Sequence, residues 1–257
     1  MLSLIETERR GRVEIVRMRR PEHGNRVTRE MAEEMIAALD RARQSADVGA
    51  CVLTGYGDAF CLGGDYWSAG KTSAGRHAFA RAFIDMAQAM AGLGKPLIAA
   101  VNGNAHAGGF SLMVACDMAV AADDATFGLP EATKGLFPFL ALAIVKDALP
   151  KKVLFDIVYR ARLMDAAEAK ALHLINEAVA RDVVLDRAVA IAEQAGAYNP
   201  DVVRLGRDLY YNMRGLTPAQ ALEESGFALE AALAAQDEAK QDEAKQDEAK
   251  QDEAKQA

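Results

Sequence analysis

Cysteine is scarce in this chain, tryptophan scarcer, and long apolar runs are missing altogether. The 257 residues hold three cysteines, Cys51, Cys61 and Cys116, none of them in a CxxC pair. An odd, sparse set excludes a disulfide framework and a cysteine-based zinc site. It predicts thiols packed into a core in a reducing compartment. Histidine is equally thin: His23, His77, His106 and His173 form no HxH or HxxxH spacing, so no metal is expected. The longest apolar run, Leu136 to Val145, contains Pro138 and is too short to span a bilayer. The opening MLSLIETERRGRVE reaches an acid at Glu6 and has no apolar h-region. No signal peptide and no membrane partner are therefore expected, and a cytoplasmic protein is.

A large excess of one charge is also lacking. Formal net charge is −7, and the QDEAK repeats from Gln236 to the end supply −4 of it, leaving −3 for the body. A nearly balanced body offers no electrostatic footprint for nucleic acid, so an anionic ligand has to be held by a local site. The repeat tail has a five-residue period that does not match the helical turn and gives no continuous apolar stripe. A solvated, frayed helix or a disordered tail is expected there, with no catalytic role.

What the chain has is ample apolar content, about half of all residues, enough for a buried core. Arg12 to Met18 alternates apolar and charged residues, as a half-buried strand does. Thr28 can cap the helix that follows, with Met31, Met35, Ala38 and Leu39 on one face. Cys51–Thr54, Leu97–Val101 and Met118–Ala122 read as short buried strands. Helices are expected from about Ala78 to Ala91 and over Phe110–Cys116, the latter apolar on nearly all sides. Strand, glycine-rich loop, helix and strand recur, which predicts α/β architecture with buried strands. Beyond Pro150 the pattern is mainly helical (Val153–Arg160, Asp165–Leu172, Leu185–Ala195 and Pro200–Asn212), with an extended piece at Ile175–Val179.

Two segments are suited to one task. Phe60-Cys61-Leu62-Gly63-Gly64-Asp65 follows a strand. Asn102-Gly103-Asn104-Ala105-His106-Ala107-Gly108-Gly109 also follows a strand and opens the buried helix. A helix N-terminus offers free N–H groups and a positive dipole end, and glycine lets backbone approach a ligand closely. One N–H from each loop can clamp a developing oxyanion. The alternative is that these glycines only turn the chain. Neither loop fits GxGxxG or a P-loop.

Leu53-Thr54-Gly55 through Ala59 to Asp65, then Lys95-Pro96 through Asn102-Gly103, then Ala107-Gly108-Gly109, Ala115-Cys116-Asp117 and Phe127-Gly128-Leu129-Pro130-Glu131 follow in order. Together with Arg20-Pro21 and Asn25 they resemble the crotonase (enoyl-CoA hydratase/isomerase) superfamily, from about Leu4 to Ala195. The resemblance implies a crotonase-like spiral of ββα units over residues 1–195 that carries the active site. It implies a C-terminal helical trimerisation region over 196–235, with the repeat tail at 236–257, and a homotrimer or a hexamer built from trimers. The implied substrate is an acyl-CoA thioester, with coenzyme A part of the substrate and no separate cofactor. The oxyanion donors would be the N–H groups of Gly64 and Gly108. Asn25, Arg26 and Val27, with Leu62, Gly63 and Asp65, match stretches that line the CoA site. Arg26 is the candidate for a phosphate contact, a solvated arginine being the alternative.

Hydratases of the superfamily use two glutamates, at positions that here read Ser111 and Glu131. A serine hydroxyl is a poor general base, so Ser111 can orient water or a polar group but cannot replace the carboxylate. A single glutamate suffices to move a proton between carbons. The resemblance therefore points first to an enoyl-CoA isomerase with Glu131 as proton shuttle. The alternatives are a hydratase or dehydratase (a lyase) using Glu131 with Ser111, an acyl-CoA decarboxylase, and a non-catalytic CoA-ester binder. The stretch Gly135 to Phe139 predicts a bulky apolar pocket wall, and Leu136 and Phe139 beside Glu131 would raise its pKa. Tyr66 and Trp67 are expected to line the pocket or pack. His106 has suitable chemistry for a base, but the family pattern turns that side chain away from the clamp, so a packed or hydrogen-bonded histidine is expected.

Overall fold

The first strand is one the sequence pattern conceals. In β1 (Ile5–Arg10) only Ile5 is buried, so no alternation is visible, yet it pairs antiparallel with β2 (Val13–Met18) through six partners. The computed structural model describes the backbone of residues 3–256 and side chains as far as Asp237. Thr28 caps α1 (Arg29–Gln44), accepting a hydrogen bond from the Met31 N–H at 3.2 Å, and Met31, Met35, Ala38 and Leu39 form its buried face. β3 (Ala50–Gly55) is buried along its whole length. It is followed by the short β4 (Ala59–Cys61) and by α2 (Ser73–Ala91). That helix begins earlier than the expected Ala78 because Thr72 caps it, accepting from the Gly75 N–H at 3.1 Å.

The unit then repeats: β5 (Leu97–Val101), β6 (Asn104–His106) and α3 (Gly108–Ala115), then β7 (Met118–Ala122) and β8 (Phe127–Gly128). In each repeat the first strand enters a large sheet and the second a small one. The large sheet has six strands in the order β1-β2-β3-β5-β7-β9, where β9 is Glu177–Val179, and every pairing after the first hairpin is parallel. The small sheet, β4-β6-β8, is parallel throughout. Parallel strands need cover on both faces, which explains their unbroken apolar runs.

Helices α4 (Phe139–Val145), α5 (Lys151–Tyr159), α6 (Ala166–Ala171) and α7 (Val184–Gly196) complete this part, and α7 packs along β2, β3, β5 and β7. All three cysteines are buried free thiols. The chain divides into two compact units, one running to Pro200 and one starting at Asp201. The second consists mainly of α8 (Pro200–Asn212) and α9 (Pro218–Gln256). The expected breaks after residues 195 and 235 fall inside α7 and α9, whose backbones continue through them. The backbone of the QDEAK segment is helical to Gln256, while the expectation that it is solvated falls on side chains outside the described residues. Among the described residues no helix is long and apolar enough to cross a membrane.

Candidate active site

The three strands of the small sheet run in the same direction, and each ends on a segment of one pocket. β4 leads into Leu62-Gly63-Gly64-Asp65, β6 into His106-Ala107-Gly108, and β8 into Leu129-Pro130-Glu131. Ligands of parallel α/β sheets gather at these carboxyl ends, where backbone groups leave the ladder.

The two glycine loops lie against each other. A Cβ on Gly108 would stand 3.3 Å from the Gly64 nitrogen, and a Cβ on Gly63 would stand 3.3 Å from the Gly108 nitrogen. Val27 holds the first loop by donating its N–H to the Gly63 carbonyl (2.9 Å) and accepting from the Asp65 N–H (2.8 Å). That parallel bridge uses the groups flanking Gly64 and turns the N–H of Gly64 itself to the other side. Gly108 is the first residue of α3, so its N–H has no partner within the helix. Among the described residues neither amide donates a hydrogen bond. Two adjacent unpaired amides can hold one carbonyl oxygen. Ala107, between β6 and α3, has φ +54 and ψ −127, a strained turn of a kind that collects at functional sites.

Glu131 sits in a 3-10 turn, Pro130–Lys134, closed by Gly135 in left-handed conformation. It is 5% exposed, and both carboxylate oxygens are buried without a hydrogen-bond partner. Desolvation raises its pKa, opposed by its own backbone N–H and by Lys134. Tyr66 stacks obliquely on Phe79 at 5.1 Å, and its hydroxyl pKa is raised by desolvation and by the charge of Glu131.

Glu131 lines a cavity of about 220 Å³ together with Arg26, Leu62, Gly64, Asp65, Tyr66 and His106, and with Trp67, Lys134 and Leu136 at its walls. Of the residues singled out in the sequence, Glu131, Gly64, Leu62, Asp65, Tyr66 and Arg26 are thus brought together. Arg26 donates from Nη1 to the Leu62 carbonyl, and Asp65 is ion-paired with Arg20 at 2.7 Å.

Others are placed differently. Asn25 is fully buried and pins the entry loop, accepting from the Arg20 N–H (3.0 Å) and donating to Tyr56 O (2.8 Å) and Ala59 O (2.7 Å). Val27 and Gly63 support the clamp from behind, and neither they nor Gly108, whose N–H is the clamp's second half, line the cavity. Ser111 is fully buried, outside the lining, and its hydroxyl donates to the Gly108 carbonyl at 2.8 Å. Phe139 is 73% exposed and absent from the lining, because α4 starts with that side chain turned outward. The apolar wall beside Glu131 is Leu136. Sequence reasoning passed over Lys134, which a position three residues after Glu131 in one turn would have indicated. His106 is hydrogen-bonded, as expected, to Thr126, and it is also among the residues that line the cavity. Cys61 lies near the clamp, but burial pushes its thiol up to about 11, so it is no thiolate nucleophile.

Repeated strand–strand–helix units over two sheets, with the pocket at the ends of the smaller one, define an α/β protein of the crotonase fold. The enoyl-CoA hydratase/isomerase family model matches residues 8–250. An enoyl-CoA hydratase of Mycobacterium tuberculosis, EchA19, is 36% identical over 203 residues, covering 77% of this chain and 76% of that protein. The carnitinyl-CoA dehydratase of Proteus mirabilis is 30% identical over 210 residues, covering 81% and 80%. The crystal structure of an enoyl-CoA hydratase from Mycobacterium smegmatis superimposes with a TM-score of 0.85 at 27% identity, covering 90% of this chain and 91% of the other. The chain belongs to the enoyl-CoA hydratase/isomerase family. It is an enzyme of that family, and the family's substrates are acyl-CoA thioesters.

Proposed function

We propose that this enzyme shifts the double bond of a β,γ-enoyl-CoA to the α,β position, with Glu131 carrying the proton. The observation that carries this reading is a lone free carboxylate in the pocket: Glu131 is unpaired, Asp65 is tied to Arg20, and Ser111 is turned to Gly108 O. With the thioester oxygen between the Gly64 and Gly108 N–H groups, Glu131 takes a proton from the α-carbon. The electron pair spreads over the chain to the oxygen as a dienolate, which the two amides stabilise at ~3–4 kcal/mol per donor. Glu131 then returns the same proton to the γ-carbon, leaving the conjugated thioester. A carboxylate whose pKa is raised by desolvation suits both halves, since it is a stronger base than an ordinary glutamate when it takes the proton.

Purified enzyme supplied with 3-butenoyl-CoA or a longer β,γ-enoyl-CoA should produce the ultraviolet absorbance of the conjugated thioester. Absence of that absorbance while crotonyl-CoA is converted to 3-hydroxybutyryl-CoA would replace this reading with hydration. Hydration is the second reading because EchA19, the carnitinyl-CoA dehydratase and the M. smegmatis protein are named for adding or removing water.

We further propose that the enzyme is cytoplasmic and works as a homotrimer or a hexamer of trimers. Buried free thiols support the compartment. Exposed apolar residues of α9, among them Leu222 (74%), Phe227 (66%) and Leu229 (60%), support the assembly, being costly to leave in water. Sedimentation velocity should give three or six times the 27.6 kDa chain mass. A monomer at micromolar concentration would remove the assembly from the proposal.

A further inference from the structure

His106 is the last residue of β6, two before Gly108; it is half-buried and among the residues that line the Glu131 cavity. A short chain of hydrogen bonds fixes which ring nitrogen carries the proton. Asn104 Oδ1 accepts from the Thr126 backbone N–H at 2.9 Å, which sets the orientation of that amide. The same oxygen lies 2.9 Å from the Thr126 hydroxyl and has no proton to give, so the hydroxyl donates to it. With its single proton committed, Thr126 Oγ1 can only accept from His106 Nε2, 2.8 Å away. In the neutral ring Nε2 therefore carries the hydrogen and Nδ1 is a bare acceptor. Among the described residues Nδ1 has no hydrogen-bond partner, and unlike the Glu131 oxygens it is not sealed from solvent. Burial, helped by the charge of Arg26 and opposed by a hydrogen bond with the Thr126 backbone, lowers the pKa of the ring and so favours its neutral form.

From this arrangement we propose that His106 Nδ1 is a fixed acceptor for an O–H group in the acyl pocket. The group is either a hydroxyl of the acyl chain or a water held beside it. Of the other polar side chains of the lining, Arg26, Trp67 and Lys134 are donors, Asp65 is ion-paired, and the carboxylate of Glu131 serves the proton transfer; the Tyr66 hydroxyl is the one other acceptor, and it can also donate. A bare sp² nitrogen there favours a ligand that donates and disfavours one that presents only hydrocarbon. This assignment deepens the proposed function by naming a feature of the substrate, yet it stands on binding and does not need the double-bond shift.

The test uses the full-length enzyme with Glu131→Gln to stop turnover, and calorimetry with 3-hydroxybutyryl-CoA and butyryl-CoA. The hydroxylated ester is expected to bind about tenfold tighter, the scale of one well-made hydrogen bond. His106→Leu should remove the preference while butyryl-CoA still binds, which shows that the variant is folded. Thr126→Val keeps the imidazole but frees its tautomer, and should weaken the preference severalfold, an effect that a merely packed histidine would not give. If the O–H belongs to water, the two esters bind alike. In that case His106→Leu, with Glu131 intact, should slow hydration of crotonyl-CoA about tenfold. Unchanged ester preference together with unchanged hydration in His106→Leu overturns the proposal. An ester preference abolished by His106→Leu, in an enzyme that moves no double bond, would instead leave this inference standing and remove the proposed reaction.

Discussion

Replacing Glu131 with glutamine should lower turnover by about 10²–10⁴-fold, the usual contribution of a positioned proton carrier, with CoA-ester binding nearly unchanged. Gln fills the same space next to Leu136 and Lys134 but cannot accept a proton from carbon. The wild-type enzyme should lose kcat/KM on the acid side at a pH above the ordinary glutamate value of 4.5, because the folded protein raises this pKa through desolvation. Retention of full turnover by Glu131→Gln would remove the assigned role.

The same substitution should act on stability in the opposite direction. Unfolded, the glutamate titrates near 4.5, whereas in the folded protein its pKa is raised, so folding favours the protonated form. Its favourable contribution is complete below the unfolded pKa and is lost as pH rises through the folded one. At neutral pH the wild type therefore carries a desolvated, unpaired carboxylate that the variant lacks. Thermal unfolding should show Glu131→Gln the more stable protein at pH 7, with the difference shrinking toward pH 4. A wild type that is the more stable at pH 7 would contradict the buried, unpaired carboxylate.

Gly109→Ala should be the most damaging single methyl in the site. At the start of α3 a Cβ on Gly109 would overlap the Cys61 carbonyl oxygen, a backbone atom of β4 that cannot rotate away. Either α3 or β4 must shift, and both carry a half of the amide clamp. Overpacking of this kind costs ~1–3 kcal/mol, and a backbone clash belongs at the upper end. For a compact unit of this size the melting temperature should drop by roughly 6–12 °C. Turnover should fall further than stability alone requires, since Gly64 and Gly108 would separate. A variant with wild-type melting temperature and turnover would mean that α3 and β4 are not packed as described.

Much of this was legible in the chain and some was not, for identifiable reasons. Buried parallel strands announce themselves through runs such as Leu97–Val101 and Met118–Ala122, because both of their faces are covered. The small sheet was invisible. Its strands are Ala59–Cys61, Asn104–His106 and Phe127–Gly128, too short to show any period. They still position the whole site. Gly64 and Gly108 could be read from glycine beside strand ends and a helix start, and Glu131 from its order in the family pattern. The orientations of Ser111 and Phe139 could not. A hydroxyl inside an apolar helix gives no sign of which carbonyl it will meet, and the start of α4 gives no sign of which side will face water.

By itself the sequence determined that this is an α/β chain with two glycine-lined turns and a glutamate in a short turn after Pro130, because backbone freedom, apolar periodicity and motif order are local properties. The tertiary structure alone decided that the two amides remain unpaired and that Glu131 is stripped of water. It alone decided that His106 is tied through Nε2 to Thr126 while lying at the same pocket. Those are matters of hydrogen-bond direction and desolvation, and both depend on which distant segments, Val27 against Gly63 and Thr126 against Asn104 and His106, come to lie side by side.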